Sequence, residues 1–252
     1  MNCYEIHVDT INKTGGDPFQ CSVYLPNTHR NVREVSLKSV ELPIGFYNIR
    51  APYNTITINN VVHTLTPGSY TTMTTFINAI NSTVTPSVGS FSYNQATGTI
   101  TFVAASGSAT ITTTSPYLWS GPTGGVQNVT SINLTPPSLG SLMGFSNAQS
   151  GTSITAINAF NLNMDTYIKL YIPNIGTSSL QADMMTFKIP LTSGLALGNT
   201  LFYIPTVPPW VSVTDKSAKL DKIQIQVLDR YGNPMINDGV NWSFTLEIKS
   251  ST

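Results

Sequence analysis

The sequence predicts an all-β fold, a β-sandwich or barrel, with a small α+β unit inserted into it. Apolar and polar residues alternate with period two in many short segments, and 16 Pro and 18 Gly separate these segments. Only one stretch has convincing helical periodicity, and no repeat of fixed period suggests a propeller or solenoid. Many short strands with Pro and Gly turns favour a sandwich or barrel over parallel βαβ units.

The composition indicates a protein with little charge. Charged residues are 10% of the 252 residues, against roughly a quarter in an ordinary soluble domain. Lys and Arg number 12 and Asp and Glu number 12, so the formal net charge is zero. This balance gives no long-range attraction to nucleic acid or to an anionic membrane, although it leaves room for a local basic patch. Low charge also weakens repulsion between copies, which suits a protein that lives in an assembly.

The two cysteines and the amino terminus indicate the compartment. Cys3 and Cys21 have no CxxC spacing, so reduced thiols are expected rather than a disulfide. No apolar run approaches the roughly 18 residues of a membrane span, and MNCYEIHVDT lacks the features of a signal peptide. We therefore expect no membrane insertion, and a chain made and used without crossing a membrane.

The first 50 residues predict three strands: Tyr4–Asp9, Phe19–Leu25 and Val32–Leu42. Pro26 is expected to break the second strand, because proline cannot donate to a sheet ladder. The apolar phase of the third strand slips by one residue between Leu37 and Val40. A β-bulge near Lys38 or Ser39 would restore the alternation.

The pattern of residues 51–149 predicts the inserted α+β unit. Two hairpins are expected, one turning at Asn59-Asn60 and one around Asn94–Gly98. Between them, Thr71–Ser82 carries apolar residues at i, i+3, i+4 and i+7, which predicts an amphipathic helix capped by Ser69 or a following Thr. The apolar residues of this helix are Met73, Phe76, Ile77 and Ile80. A further strand is predicted at Ala109–Thr113.

After residue 150 the strand pattern resumes, so residues 1–50 and 150–252 are predicted to form the β-sandwich. The predicted strands are Ile154–Asn161, Thr166–Ile172, Met184–Ile189, Leu201–Ile204, Val211–Val213 and two arms within Lys219–Lys249. The last arm alternates over eight residues from Trp242 to Lys249. Trp242 is therefore expected to point inward and to be buried.

The sequence contains no motif that predicts catalysis or metal binding. His7, His29 and His63 have no second ligand at the spacing of metal sites. Asp229, Asn237 and Asp238 are of the calcium-ligand type, but they lack the D-x-[DN]-x-[DN]-G order, and turns favour these residues independently. Asp165 and Asp183 also lie beside predicted strands, but spacing identifies no partner carboxylate for either, so no catalytic carboxylate pair is predicted.

Nucleophile and phosphate-binding signatures are missing from the sequence as well. It has no G-x-S-x-G, no recognisable catalytic-cysteine signature and no P-loop. We therefore predict no catalytic, cofactor-binding or metal-binding residues, no cofactor and no enzymatic activity.

Two groups of residues suggest surface interactions. The first is basic and is more typical of a solvated strand face than of a nucleic-acid groove: His29, Arg30, Arg33 and Lys38. The second is aromatic and would suit a sugar-binding platform, although such residues are more often core or interface: Tyr70, Tyr93, Tyr117 and Trp119. No nucleic-acid partner is predicted.

Four short patterns together indicate a family. They are V-x-L-x-x-V-x-L-P at Val35 to Pro43 followed by Tyr47-Asn48-Ile49, T-P-G-S-Y at Thr66 to Tyr70, L-M-G-F at Leu142 to Phe145, and I-x-V-L-D-x-x-G…W-S-F-T-L-E-I from Ile225 to Ile248. With them, the chain resembles the single jelly-roll penton or minor capsid proteins of large icosahedral double-stranded DNA viruses. That group includes nucleocytoplasmic large DNA viruses, virophages and polinton-like viruses.

The resemblance implies a jelly roll of two facing four-stranded sheets, interrupted by an inserted subdomain. It further implies a structural virion protein that forms a homopentamer at a capsid vertex and joins the major capsid protein and other minor capsid proteins. The jelly-roll flanks would form the ring and the insert would project outward. The expected location is the virion, after assembly in the host cell cytoplasm.

A different class of function stays open at this stage. A β-sandwich of this kind also suits a module that binds a glycan or a host receptor, such as a component of a vertex spike or fibre. An enzyme of the cupin type ranks third, because it would need a histidine cluster that this sequence does not contain.

Overall fold

The computed structural model describes residues 2–113, 138–145, 149–160, 162, 165–173, 175, 186–191, 197–208, 210–213 and 219–251. Sixteen strands, two α-helices and a 3₁₀ turn at Thr10–Asn12 lie in these ranges. The strands are β1 Asn2–Asp9, β2 Gln20–His29, β3 Val32–Pro43, β4 Thr55–Ile58, β5 Val61–Thr64, β6 Gly89–Asn94, β7 Thr99–Ala104, β8 Ala109–Thr112, β9 Gln149–Gly151, β10 Ser153–Thr155, β11 Tyr167–Tyr171, β12 Thr186–Pro190, β13 Thr200–Tyr203, β14 Trp210–Ser212, β15 Leu220–Leu228 and β16 Ser243–Ser250. The helices are α1 Met73–Thr83 and α2 Leu139–Leu142.

The chain divides into two compact units. The first combines Met1–Phe46 with Asp165–Thr252, and the second is Tyr47–Met164. The sequence predicts the inserted unit at 51–149, which leaves residues 150–160 in the sandwich. In the structure β9 pairs with β8, and β10 pairs with β7, within the second unit.

The first unit contains two antiparallel sheets. One is five-stranded in the order β1-β16-β3-β13, with β14 also paired to β3, and the other is four-stranded in the order β12-β11-β15-β2. Strands β13 and β14 bind different parts of β3, at Val40–Pro43 and at Glu34–Ser36. They therefore act as one interrupted edge strand. The nine described strands of the first unit thus fill eight strand positions, four in each sheet.

The order of these eight positions is that of a jelly roll. Counted along the chain, one sheet runs first, eighth, third, sixth, and the other runs fifth, fourth, seventh, second. Two interlocked Greek keys produce this order. The implied pair of facing four-stranded sheets is confirmed once the interruption between β13 and β14 is recognised.

The inward side chains of both sheets meet in one hydrophobic core. Strand β16 lies at the centre of its sheet and contributes Phe244, Leu246 and Ile248, all essentially buried. Strand β15 supplies the facing row Ile223, Ile225 and Val227. The two C-terminal arms thus belong to opposite sheets, and the turn between them crosses from one sheet to the other.

Strand β3 contains the predicted bulge. Thr245 pairs with Ser39 and the next residue, Leu246, pairs with Leu37, so Lys38 is the extra residue. The bulge lets apolar residues on both sides of Lys38 face the same core, as the phase slip in the sequence predicted.

The predicted break of β2 at Pro26 was wrong. Strand β2 continues through Pro26 to His29. It is the last strand of its sheet, and its pairing with β15 is irregular between Tyr24 and His29. Proline is tolerated at an edge or a bulge because no ladder hydrogen bond depends on its nitrogen.

The second unit has two small sheets, ordered β10-β7-β6 and β5-β4-β8-β9, with the helices α1 and α2. The predicted hairpin at Asn59-Asn60 is present, and both asparagines have positive φ, as a type I′ turn requires. Thr72 caps α1 by accepting a hydrogen bond from the Thr75 amide. The predicted strand from Ile154 is shorter than expected and ends at Thr155.

Trp242 is buried, with 3% of its surface exposed. Its indole Nε1 donates to the carbonyl of Pro18 at 2.8 Å, and its ring contacts Phe19 and Phe244 with centroids 5.8 and 4.9 Å away. The ring therefore joins the start of β2 to the last strand.

We expect Trp242→Ala to lower the free energy of unfolding by about 3 to 5 kcal/mol, because truncating a core aromatic leaves a cavity. Urea unfolding followed by circular dichroism measures this loss. Ile11→Ala is the matched control: Ile11 is 66% exposed in the 3₁₀ turn after β1, and its truncation should change the free energy of unfolding by no more than about 0.5 kcal/mol. Equal midpoints for Trp242→Ala and the wild type would contradict the assigned packing.

Candidate assembly surfaces

The histidines and acidic residues weighed as metal ligands do not converge. Within the described ranges, no three His, Cys, Asp or Glu side chains are grouped so as to hold a metal ion. His7 lies exposed on the edge strand β1, His29 ends β2 beside the ring of Tyr4, and His63 lies in β5 of the second unit. Asp183 lies outside the described residues.

The calcium-type residues of the terminal turn stabilise the turn itself. The buried Asp229 carboxylate accepts hydrogen bonds from the amides of Tyr231 and Asn233 at 2.8 and 2.9 Å. Asn237, also buried, accepts from the Gly45 amide at 2.9 Å and donates to the Val240 carbonyl at 2.9 Å. Asp229 thus caps its own turn, whereas Asn237 also ties the turn to Gly45, beyond the end of β3.

Both thiols are free, as predicted from their spacing, and both are poor nucleophiles. Burial raises the pKa of Cys21 to about 11. Cys3 is exposed, and its hydrogen bond to Glu247 Oε1, 2.8 Å long, raises its pKa as well. Because the thiolate is the reactive form, neither cysteine is activated near neutral pH.

The predicted basic group does not form one patch with a single role. Arg33 donates through Nε to Ser251 Oγ at 3.2 Å, whereas the Lys38 ammonium lies 3.1 Å from Glu247 Oε2. Of the predicted aromatic platform, Tyr117 and Trp119 lie outside the described residues. Tyr70 donates its hydroxyl to the Thr66 carbonyl at 2.7 Å and packs against Phe76, so it supports the start of α1.

The outer edge of the five-stranded sheet carries unusual apolar exposure. Phe202, Ile204 and Val207 are 71%, 74% and 82% exposed. Trp210 follows on β14 and is partly exposed. We call these four residues the apolar edge. Exposed apolar clusters of this kind mark interaction sites, because a monomer gains nothing from presenting them to water.

The sequence alone does not single out the apolar edge. Alternation within Leu201–Ile204 shows that two faces exist, but it does not reveal that the outward face stays uncovered. The sequence contains no charged residue between Lys188 and Asp215. Asp, Glu, Lys and Arg are equally missing from 51–164, where many residues are exposed, so such a run does not by itself mark a surface shielded from water.

Next to the apolar edge, the outward side of the same sheet is acidic. Besides Asp9, whose carboxylate accepts from the Ile11 amide at the end of β1, four carboxylates and two ammonium groups lie there at outward strand positions. We call these six residues the acidic face: Glu5, Glu34, Glu41, Glu247, Lys38 and Lys249. Phe202 pairs directly with Glu41 across the strands, so the acidic face and the apolar edge are continuous.

Ion pairs hold part of the acidic face in place. Glu5 and Glu247 are directly opposite each other on β1 and β16, an unfavourable pair of like charges. The bulge residue Lys38 relieves it, with its ammonium 3.8 Å from Glu5 and 3.1 Å from Glu247. Glu34 and Lys249 form a second pair at 2.8 Å, and the same ammonium lies over the ring of Trp210.

None of the described helices is long and apolar enough to cross a membrane.

The strand order of the first unit defines a single jelly roll, the fold of viral capsid and lectin domains. No protein family and no curated protein matches the sequence. Among solved structures, the crystal structure of SeMet-labelled mavirus penton protein is similar to this chain. The match covers 100% of each chain, with 8% sequence identity and a TM-score of 0.50. At this identity the likeness shows the fold, and it confirms the penton-like single jelly roll that the resemblance predicted.

Glu247 should make stability depend on pH in the acid range. The hydrogen bond from Cys3, followed by the interaction with Lys38, holds the pKa of Glu247 below its ordinary value. The ionised form therefore stabilises the fold above the pKa of an unfolded glutamate, about 4.3, and this contribution is lost as the pH falls through the lower folded-state pKa.

We expect Glu247→Gln to melt at a lower temperature than the wild type at pH 7, with the difference shrinking below about pH 4. Thermal melts across this range measure it. Asp238→Asn is the control, because Asp238 is exposed and outside the acidic face, and asparagine tolerates its positive φ; its melting temperature should stay near that of the wild type. A constant difference for Glu247→Gln at every pH would show that the carboxylate charge is not responsible.

Proposed function

We propose that this chain is a structural protein of a viral capsid vertex, a penton protein whose reaction is assembly. The observation that carries the proposal is the apolar edge on an open sheet edge of a jelly roll. Three of its side chains are more than two-thirds exposed, and such a surface requires a partner to be removed from water. The fold shared with a penton protein supports the same conclusion.

The assembly we propose is a homopentamer in the virion, formed in the host cell cytoplasm and joined to the major capsid protein and other minor capsid proteins. A ring of identical subunits needs two different complementary faces on each subunit. The first unit offers distinct surfaces on its two sheets. A net formal charge of zero adds no overall repulsion between neighbours.

We propose that any binding of a host receptor or glycan belongs to the second unit, which enters the chain between the third and fourth jelly-roll strands. Its two sheets and helices bury their own aromatic residues, including Phe76 against Phe160 and Phe91 against Phe102 at 4.9 and 4.8 Å. It has the organisation of a subdomain inserted into the jelly roll. Binding of a host receptor or glycan, the alternative class of function, would be assigned to this unit.

The oligomeric state tests the proposal. Native mass spectrometry and light scattering of the purified chain should give five copies of the 27.2 kDa subunit. Co-expression with the major capsid protein of the same virus should place the chain in particles. A protein that is monomeric at every concentration and is never incorporated would refute the vertex assignment, and a specific glycan-array signal would then favour the binding module.

A variant of the apolar edge tests the observation itself. The variant combines Phe202→Asn, Ile204→Asn and Val207→Asn. Because these side chains are exposed, it should keep the circular dichroism spectrum of the wild type, but it should no longer form the oligomer. The matched control replaces exposed isoleucines elsewhere in the first unit, Ile11→Asn with Ile236→Asn, which are 66% and 57% exposed. Retention of the oligomer by the apolar-edge variant would exclude this surface from assembly.

A further inference from the structure

The outward side of the four-stranded sheet is basic, in contrast to the acidic face. Lys169, Lys188 and Lys222 lie at its outward positions: Lys169 and Lys188 are each flanked by two core residues, and Lys222 precedes the buried Ile223. The other outward positions of the described strands hold tyrosines, glutamines and a few small or apolar residues. Asp221, at the start of β15, pairs with Lys219 at 2.6 Å, so these two charges offset each other. We call the three lysines the basic face.

Two of these lysines are in an unfavourable arrangement within one subunit. Lys169 on β11 is directly opposite Lys188 on β12. Like charges directly opposite each other across two strands are destabilising. On the acidic face, the like-charged pair Glu5 and Glu247 is relieved by the ammonium of Lys38. Among the described strand residues, no carboxylate lies at an outward position beside Lys169 and Lys188.

The rings on the basic face suit a contact rather than free solvent. Tyr167 lies under the Lys188 ammonium, 4.1 Å from ring centroid to Nζ, and Tyr24 is 61% exposed beside Lys222. Tyrosine is enriched at interfaces because one end is apolar and the other can hydrogen-bond. The acidic face offers the counterpart, with Glu41 opposite Phe202 and the Lys249–Glu34 ion pair at the ring of Trp210.

We propose that the acidic face and apolar edge of one copy bind the basic face of the next copy. The inference rests on the proposed function, and it adds which surfaces meet. The charges are complementary: four carboxylates and two ammonium groups on one side, three lysines on the other. The contact then brings carboxylates beside the repelling pair Lys169 and Lys188, which have none beside them among the described strand residues of their own sheet.

The two faces lie on the outer sides of opposite sheets of the same sandwich. Contact between them is therefore head-to-tail, with a different surface from each partner. Head-to-tail contacts generate rings when the rotation per subunit closes. A two-fold dimer, which uses the same patch on both partners, does not follow from this pairing.

Charge reversal tests the pairing. The first variant, Lys169→Glu with Lys188→Glu, makes both faces acidic, and the second, Glu5→Lys with Glu41→Lys, makes both faces basic. Each variant alone should associate at least about tenfold more weakly than the wild type, because like charges then meet across the contact. The variant that carries all four changes should recover the oligomer, since its charges are exchanged but complementary.

Mixing the two double variants gives a sharper result. Each can bind only the other, so subunits must alternate, and an alternating ring cannot have five members. Native mass spectrometry should show mixed complexes with equal or nearly equal numbers of the two variants, and no closed pentamer. Arg30→Glu, a reversal at the exposed turn after β2, is the control and should assemble as the wild type does.

The outcomes separate this inference from the proposed function. A wild-type chain that never forms oligomers refutes the proposed function itself. A wild-type pentamer that persists unchanged in both double variants, with circular dichroism spectra intact, overturns the face pairing alone. Double variants that form pentamers but no longer join the major capsid protein also overturn it, because the faces would then bind that protein instead.

Discussion

The jelly roll depends on the contact of two rows of side chains across the sandwich. Strand β16 is hydrogen-bonded on both sides, to β1 and β3, and its inward residues meet those of β15 from the opposite sheet. Trp242 anchors the start of this row by a hydrogen bond to Pro18 and by ring contacts with Phe19 and Phe244. Without this packing the two sheets would have no common core, and neither outer face would have a fixed shape to present.

Local features of the fold were predictable from the sequence because they depend on neighbouring residues. The phase slip in β3 predicted the bulge at Lys38, and two consecutive asparagines predicted the turn between β4 and β5. The spacing of apolar residues predicted α1. In each case, a few adjacent side chains determine the backbone conformation.

Properties that depend on pairing between distant segments were not predictable in the same way. Alternation shows that Lys169 and Lys188 each point outward, but only the register of β11 and β12 shows that they face each other. Likewise, nothing local shows that β2 is an edge strand, which is why its passage through Pro26 was missed. The apolar edge was missed for the same reason, since exposure is a property of the assembled sheet.

The division of the outer strand into β13 and β14 has a consequence for how the protein avoids fibrous aggregation. An open sheet edge that is long, flat and apolar invites another strand to add by backbone hydrogen bonds. Here the edge consists of segments of four and three residues, separated by a stretch that includes Pro205 and Pro208. A further strand therefore finds no continuous row of backbone groups to pair with, which disfavours cross-β stacking although the side chains of the apolar edge are exposed. Recognition is left to side-chain shape and charge, which distinguish a correct neighbour from any exposed strand in a crowded cell.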